Sequence, residues 1–164
     1  MSSDFYTSSI LPHAGIIIKI CRAYTDTQED FEDYFQEVCL QIWKSRDRFR
    51  GDSKWSTWIY RLTLNICLTL IKKKKNNRQH YTSEYEIRDE GTEENRSFSD
   101  ESLNQLYEAI KKLSEIDRAV ILLYLEEKRN KEIAEIIGTS PNNIAVRVNR
   151  IKERLKTLLD GKID

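Results

Sequence analysis

The sequence predicts an all-α protein: two small helical domains joined by a flexible acidic linker, the second domain containing a helix-turn-helix. Three observations carry that expectation. Apolar residues recur at steps of three and four through most of the chain, the spacing of a helix face. The 164 residues include only 5 Gly and 2 Pro, too few for the turns of an all-β domain. Between Asn76 and Asp100 the periodicity stops, and the chain turns polar, acidic and poor in large aliphatics. The expected division is 1–76, 77–101 and 102–164.

The first helix is expected from Ser9 to Tyr24, where Ile10, Ile17, Cys21 and Tyr24 share a face. Asp26 or Thr27 can cap the second, with Asp30 at capping-box distance from Thr27. Its first turn (Glu29, Asp30, Glu32, Asp33) suits the positive end of the helix dipole. Phe31, Tyr34, Phe35, Val38, Ile42 and Trp43 give it one apolar face. Arg46 to Lys54 is a loop by composition. Ser53 or Ser56 can cap a long third helix to about Lys75, with Trp58, Ile59, Leu62, Ile66 and Leu70 as its buried stripe. Arg61, Asn65, Thr69 and Lys72 fall on another, polar face.

Past the linker, Leu103, Leu106, Ile110 and Leu113 mark one helix, and Ser114 to Glu126 another. Lys131 to Ile137 then precedes Gly138-Thr139-Ser140, and Pro141 opens a final helix to about Leu159. Glycine supplies the left-handed residue after a helix. Serine followed by proline starts the next one, because the hydroxyl caps and proline at the first position gives up no needed donor. A short helix, a three-residue turn and a longer helix make a helix-turn-helix, whose second helix enters a major groove. Ile144, Val148, Ile151, Leu155 and Leu158 form its inner stripe. Asn142, Asn143, Ala145, Val146, Asn149 and Arg150 face outward, and Arg147, Lys152, Arg154 and Lys156 are placed for phosphates. Asn can read adenine at two points and Arg can read guanine.

The net charge is zero, but its distribution is uneven. Residues 1–42 carry −5, 43–80 carry +9, 81–101 carry −6 and 102–164 carry +2. The basic segment, which includes Lys72-Lys73-Lys74-Lys75, attracts polyanions in a salt-dependent way. No apolar run approaches the ~20 residues of a membrane span. Met-Ser-Ser-Asp does not begin a secretory signal. Cys21, Cys39 and Cys67 read as buried free thiols of a reducing cytoplasm. Two histidines in different segments suggest no metal site, and neither a phosphate loop nor a nucleophile motif points to an enzyme. No cofactor is expected.

Three blocks in order then carry a family resemblance: Asp33-Tyr34-Phe35-Gln36-Glu37-Val38-Cys39-Leu40-Gln41-Ile42-Trp43; Phe49-Arg50-Gly51-Asp52-Ser53 with Trp55-Ser56-Thr57-Trp58-Ile59-Tyr60-Arg61; and Ile133-Ala134-Glu135-Ile136-Ile137-Gly138. Over about residues 8–160 the chain resembles the extracytoplasmic-function (group 4) sigma factors, which carry only regions 2 and 4. The resemblance implies a subunit that binds core RNA polymerase at its beta-prime clamp and beta flap, recognises promoter DNA and helps melt the minus-ten element. It places Gln36, Glu37, Leu40, Gln41 and Trp43 on the polymerase. Of these, Trp43 fits core or interface equally well.

The resemblance also implies a flipped-base pocket at Arg61, Asn65 and the loop Arg50-Gly51-Asp52-Ser53-Lys54, with Trp55 stacking and Lys72 to Lys75 on phosphates. Trp58 reads as core. The final helix would read the minus-thirty-five element. There, Ala145 and Val146 replace the long hydrogen-bonding side chains of many relatives, leaving methyl contact with thymine, Asn149 and Arg150, and room for an auxiliary recruitment protein. The acidic linker (Asp89, Glu90, Glu93, Glu94, Asp100, Glu101) would thread toward the RNA exit channel or serve as a solubilising tether. Family members are commonly held inactive by an anti-sigma factor. A stand-alone helix-turn-helix regulator with an N-terminal partner-binding domain is the alternative.

Overall fold

The computed structural model of the protein describes residues 3–80 and 100–160, without the side chains of 78–80. Among these residues the secondary structure is helical throughout, with seven main helices. They are α1 (Ala14–Ala23), α2 (Gln28–Ser45), α3 (Trp55–His80), α4 (Glu101–Ile110), α5 (Glu115–Leu125), α6 (Asn130–Ile137) and α7 (Pro141–Leu159).

Local chemistry sets most of the boundaries. Thr27 Oγ1 accepts from Asp30 N at 3.0 Å and starts α2. Asp100 accepts from Ser102 N and Leu103 N and starts α4. Ser114 caps α5 through Asp117 N, and Ser140 caps α7 through Asn143 N. Gly138, at φ 89°, ends α6 in the left-handed conformation, and Ala134 O accepts from both Gly138 N and Thr139 N.

Several expected boundaries are corrected. The first helix is not continuous from Ser9: a helical lead-in from Ser3 tightens into a 3-10 turn at Leu11–His13 before α1 begins at Ala14. Pro12 accounts for the break, since it has no N–H to donate. Lys54 rather than a serine precedes α3, its carbonyl accepting from Trp58 N. This helix runs to His80, five residues beyond the expected end, and Asp100 and Glu101 belong to the start of α4. Asp89, Glu90, Glu93 and Glu94 lie outside the described residues.

The buried stripe of α3 is Ile59, Tyr60, Thr63, Leu64 and Cys67, while Trp58, Leu62, Ile66 and Leu70 are half-buried. The stripe shifts because α3 is gripped from two sides, by α1 and α2 on one and by α6 on the other. In α4, Leu103 is exposed, and Asn104 and Tyr107 are buried instead.

Each half has its own apolar centre. Ile17, Ile20, Val38, Ile42 and Ile59 are fully buried in the first half, as are Val120, Leu123, Ile133 and Ile144 in the second. Cys21, Cys39 and Cys67 are buried free thiols, with the Cys21 and Cys67 sulfurs 4.0 Å apart.

The two halves also pack on each other, α1 against α4 and α5, and α3 against α6. This seam is polar and aromatic. Arg22 donates to Asn104 Oδ1 at 2.5 Å and lies 4.0 Å over the Tyr107 ring. Tyr24 OH donates to Glu115 O. Arg118 donates to Ala23 O across the seam and to Lys111 O and Leu113 O within its own half. Lys19 pairs with Glu126.

Candidate nucleic-acid and polymerase interfaces

On α2, Gln36 and Leu40 are exposed, and Glu37, Gln41 and Trp43 are half-buried. Gln41 donates to Glu37 Oε1 at 2.8 Å, one turn away. Leu40 is an apolar side chain left 38 % exposed among polar neighbours. Val38 and Ile42 turn inward, and Arg46 lies 3.6 Å over the Trp43 ring.

The loop before α3 leaves Arg50, Gly51, Asp52 and Lys54 exposed. Gly51 sits at φ 80°, a conformation that only glycine adopts without strain. Below the loop, Phe5, Trp43, Phe49, Trp55 and Trp58 form one aromatic cluster. Trp55 stacks on Trp58 at 4.9 Å and donates its indole N–H to Ser9 O at 2.8 Å. Its stacking partner here is therefore another side chain of the same domain.

Along α3, Asn65 is exposed one turn beyond Arg61, and Lys72 to Lys75 are all exposed. These groups do not all face solvent unengaged. Arg61 Nη2 donates to Glu135 O, on α6, at 2.6 Å. Lys75 pairs with Glu115 at 2.6 Å, also across the seam, and Lys74 pairs with Asp30.

Beside α3, the Lys128 ammonium lies 5.0 Å over the Tyr60 ring, and the His13 ring meets the edge of Tyr60. Burial, and secondarily Lys128, push the His13 imidazole below its ordinary pKa. Burial also raises the Tyr24 phenol far above its ordinary range and pushes Tyr34 up to about 12.

In α7, Asn142, Asn143, Val146, Asn149 and Arg150 are exposed and Ala145 is half-exposed. Val146 is 55 % exposed. Ile144, Val148, Ile151 and Leu155 are buried, so the inner stripe packs and the outer face is open. Arg147, expected on phosphates, has its guanidinium held by Asp117 at 2.8 Å and by Asn143 at 3.0 Å. Lys152 sits 4.4 Å over the Tyr124 ring. Sequence periodicity gave no sign of Glu115, Asp117 or Glu135 as partners. Asp117 is legible only as a first-turn acid, and a backbone carbonyl leaves no sequence signal.

A short helix, a glycine turn and a capped longer helix with an open polar face define a helix-turn-helix DNA-binding protein. Comparison with known proteins narrows this. The family Sigma-70 region 2 matches residues 10–77, and Sigma-70 region 4 matches residues 103–155. The chain is 30% identical over 135 residues to the RNA polymerase sigma factor SigZ of Bacillus subtilis, covering 82% of this chain and 75% of that one. It is 29% identical over 159 residues to the extracytoplasmic-function sigma factor SigW of the same organism, covering 87% and 82%. The fold is shared with the sigma factor RpoE solved with the anti-sigma factor NepR from Bartonella quintana (TM-score 0.75, 20% identity, 99% of each chain). It is shared too with CnrH solved with the cytosolic domain of CnrY (TM-score 0.70, 19% identity, 97% of this chain and 90% of that one).

The chain belongs to the RNA polymerase sigma factors, in the extracytoplasmic-function branch. It binds core RNA polymerase and directs it to promoter DNA. Sigma factors as a class are initiation factors rather than enzymes. Among the described residues, no helix is long and apolar enough to cross a membrane.

Proposed function

We propose that residues 1–76 bind the polymerase clamp and capture the minus-ten element, that 77–101 connect the halves, and that 102–164 bind the beta flap and read the minus-thirty-five element. The observation that carries this is α3. One helix presents Arg61, Asn65, Lys72 and Lys73 away from its buried stripe, next to an exposed basic loop. Extracting a base from a duplex costs a few kcal/mol of unstacking. Loop contacts and cationic groups along α3 offset that cost. Leu40, with Gln36, Glu37, Gln41 and Trp43, forms the polymerase face. The chain supplies no catalytic group to this reading, and it acts in the cytoplasm beside the polymerase. An anti-sigma factor that covers both halves is the natural inhibitor, and an auxiliary recruitment protein would compensate for Ala145 and Val146.

Simultaneous use of both elements requires the halves to part. Positions −10 and −35 are about 25 base pairs apart, roughly 85 Å at ~3.4 Å per pair. The 20 residues from His80 to Asp100 can span at most about 70 Å. The dimensions of the two halves supply the remainder. Opening also releases Arg61 and Lys75 from their seam partners.

The test is transcription reconstituted with core polymerase and a cognate promoter. Replacing Lys72 to Lys75 with Ala should weaken open-complex formation well beyond any loss of polymerase binding. It should also flatten the salt dependence, by about 0.7–0.9 in log–log slope per lost phosphate contact. Equal loss of both activities, or no change in either, rejects the placement of the run. A protein that binds its promoter without polymerase and does not co-purify with polymerase would be a stand-alone regulator.

A further inference from the structure

The recognition helix carries a side-chain relay that its fold alone does not require. Asp117 lies in the first turn of α5, its backbone fixed by the Ser114 cap at 3.2 Å. Its Oδ1 accepts from Arg147 Nη1 at 2.8 Å. Arg147 Nε in turn donates to Asn143 Oδ1 at 3.0 Å. The backbone N–H of Asn143 is itself held by the Ser140 cap at 3.2 Å. Both ends of the relay are thus anchored at capped helix starts, and the Arg147 and Asp117 side chains are only 33% and 28% exposed.

Arginine has donors and no acceptor. The amide oxygen of Asn143 must therefore be the atom facing Arg147, and its NH2 must face away. An asparagine free to turn can pair with adenine at two points, accepting from N6 and donating to N7. An asparagine whose oxygen is held against Arg147 keeps a fixed amide plane and turns its NH2, the donor, outward. Asp117 also offsets the charge of Arg147, which makes that guanidinium a poor phosphate contact, whereas Arg150, Arg154 and Lys156 remain exposed.

We propose that Arg147 is a positioning residue that locks Asn143 as a hydrogen-bond donor toward DNA, so that this position of the recognition helix selects an acceptor edge and excludes cytosine. This rests on the reading of 102–164 as the module that recognises the minus-thirty-five element. In the major groove guanine, thymine and adenine each offer an acceptor to a single donor, while cytosine presents only its N4 amino donor.

The test is transcription by reconstituted holoenzyme from a library randomised across the minus-thirty-five element, read by sequencing the transcripts. Wild type should disfavour cytosine about tenfold at one position. Asn143→Asp, which turns the donor into an acceptor, should shift that position toward cytosine or adenine. Arg147→Ala and Asp117→Asn should relax it and favour adenine, leaving other positions unchanged. Arg147→Lys, which keeps the charge without the fork that engages both partners, should behave like Arg147→Ala.

A uniform loss across the library for Arg147→Ala, restored by Arg147→Lys, makes Arg147 a phosphate contact and overturns the proposal. A second readout needs no DNA. In the nuclear magnetic resonance spectrum of the full chain, the Asn143 side-chain amide signals should move in Arg147→Ala and Asp117→Asn, with helicity unchanged. If they stay still, the relay does not exist, whatever the promoter data say. If they move while wild type shows no base preference anywhere in the element, the relay stands as geometry, but the selectivity claim and the reading of this module both fail.

Discussion

Arg22→Ala is the sharpest probe of the seam. The residue is 8% exposed, donates to Asn104 Oδ1 at 2.5 Å and covers the Tyr107 ring at 4.0 Å. A hydrogen bond from a charged donor contributes ~1.5–3 kcal/mol. A partly desolvated cation over an aromatic ring adds ~0.5–2 kcal/mol. Truncation should therefore cost the closed arrangement about 2–5 kcal/mol, or roughly a 30- to 4,000-fold shift toward the open form at ~1.4 kcal/mol per factor of ten. The assay is energy transfer between dyes on Lys44→Cys and Lys156→Cys, both exposed positions in opposite halves, followed against urea. In the Arg22→Ala background, loss of transfer should move to clearly lower urea and precede the loss of helicity by circular dichroism. If transfer and helicity still fall together at the wild-type midpoint, Arg22 does not hold the halves together and the energetic reasoning is wrong.

Further perturbations address the individual parts. Leu40→Arg should reduce affinity for core polymerase tenfold or more in a direct binding assay, with the melting temperature nearly unchanged because the side chain is exposed. Gly138→Ala should lower stability by about 1–2 kcal/mol in urea unfolding, because φ is 89° and nothing lies within 4 Å of the added methyl, so the cost is backbone strain alone. Burial holds the Tyr34 phenol neutral up to about 12 against an ordinary value of 10. The stability this contributes is present in full below pH 10 and is lost as pH rises from 10 to 12, because the unfolded chain ionises first. Melting temperature against pH should fall in that window, and Tyr34→Phe should flatten the slope.

Helix existence was legible because its signals are local. Thr27, Ser114, Ser140 and Gly138 act where the sequence places them, within a turn of the residues they cap or end. Pro12 was equally local, yet the helical spacing of Ile10 and Ile17 concealed the break it makes. The seam was not legible for a different reason. Arg22, Asn104 and Arg118 are polar, and a period-based reading sends polar residues to solvent. Only their partners, many residues distant in the chain, bury them. The face of α3 escapes a period-based reading for the same reason, since Trp58 and Leu62 flank a stripe whose centre is set by contacts on two sides. At the candidate DNA surface the sequence offers Arg61 and Arg147 as candidates but cannot show that each has a partner within the chain, one a carbonyl of α6 and the other Asp117.

The length of α3 bears on how the two halves search for DNA. At ~1.5 Å per residue its 26 residues measure about 39 Å, and the last five extend beyond Lys75, roughly 8 Å past the ion pairs of Lys74 and Lys75. The second half is thus tethered to the tip of a stiff boom rather than to the body of the first. When the halves part, the boom fixes the point from which the second half swings, so its reach is weighted to one side of the first.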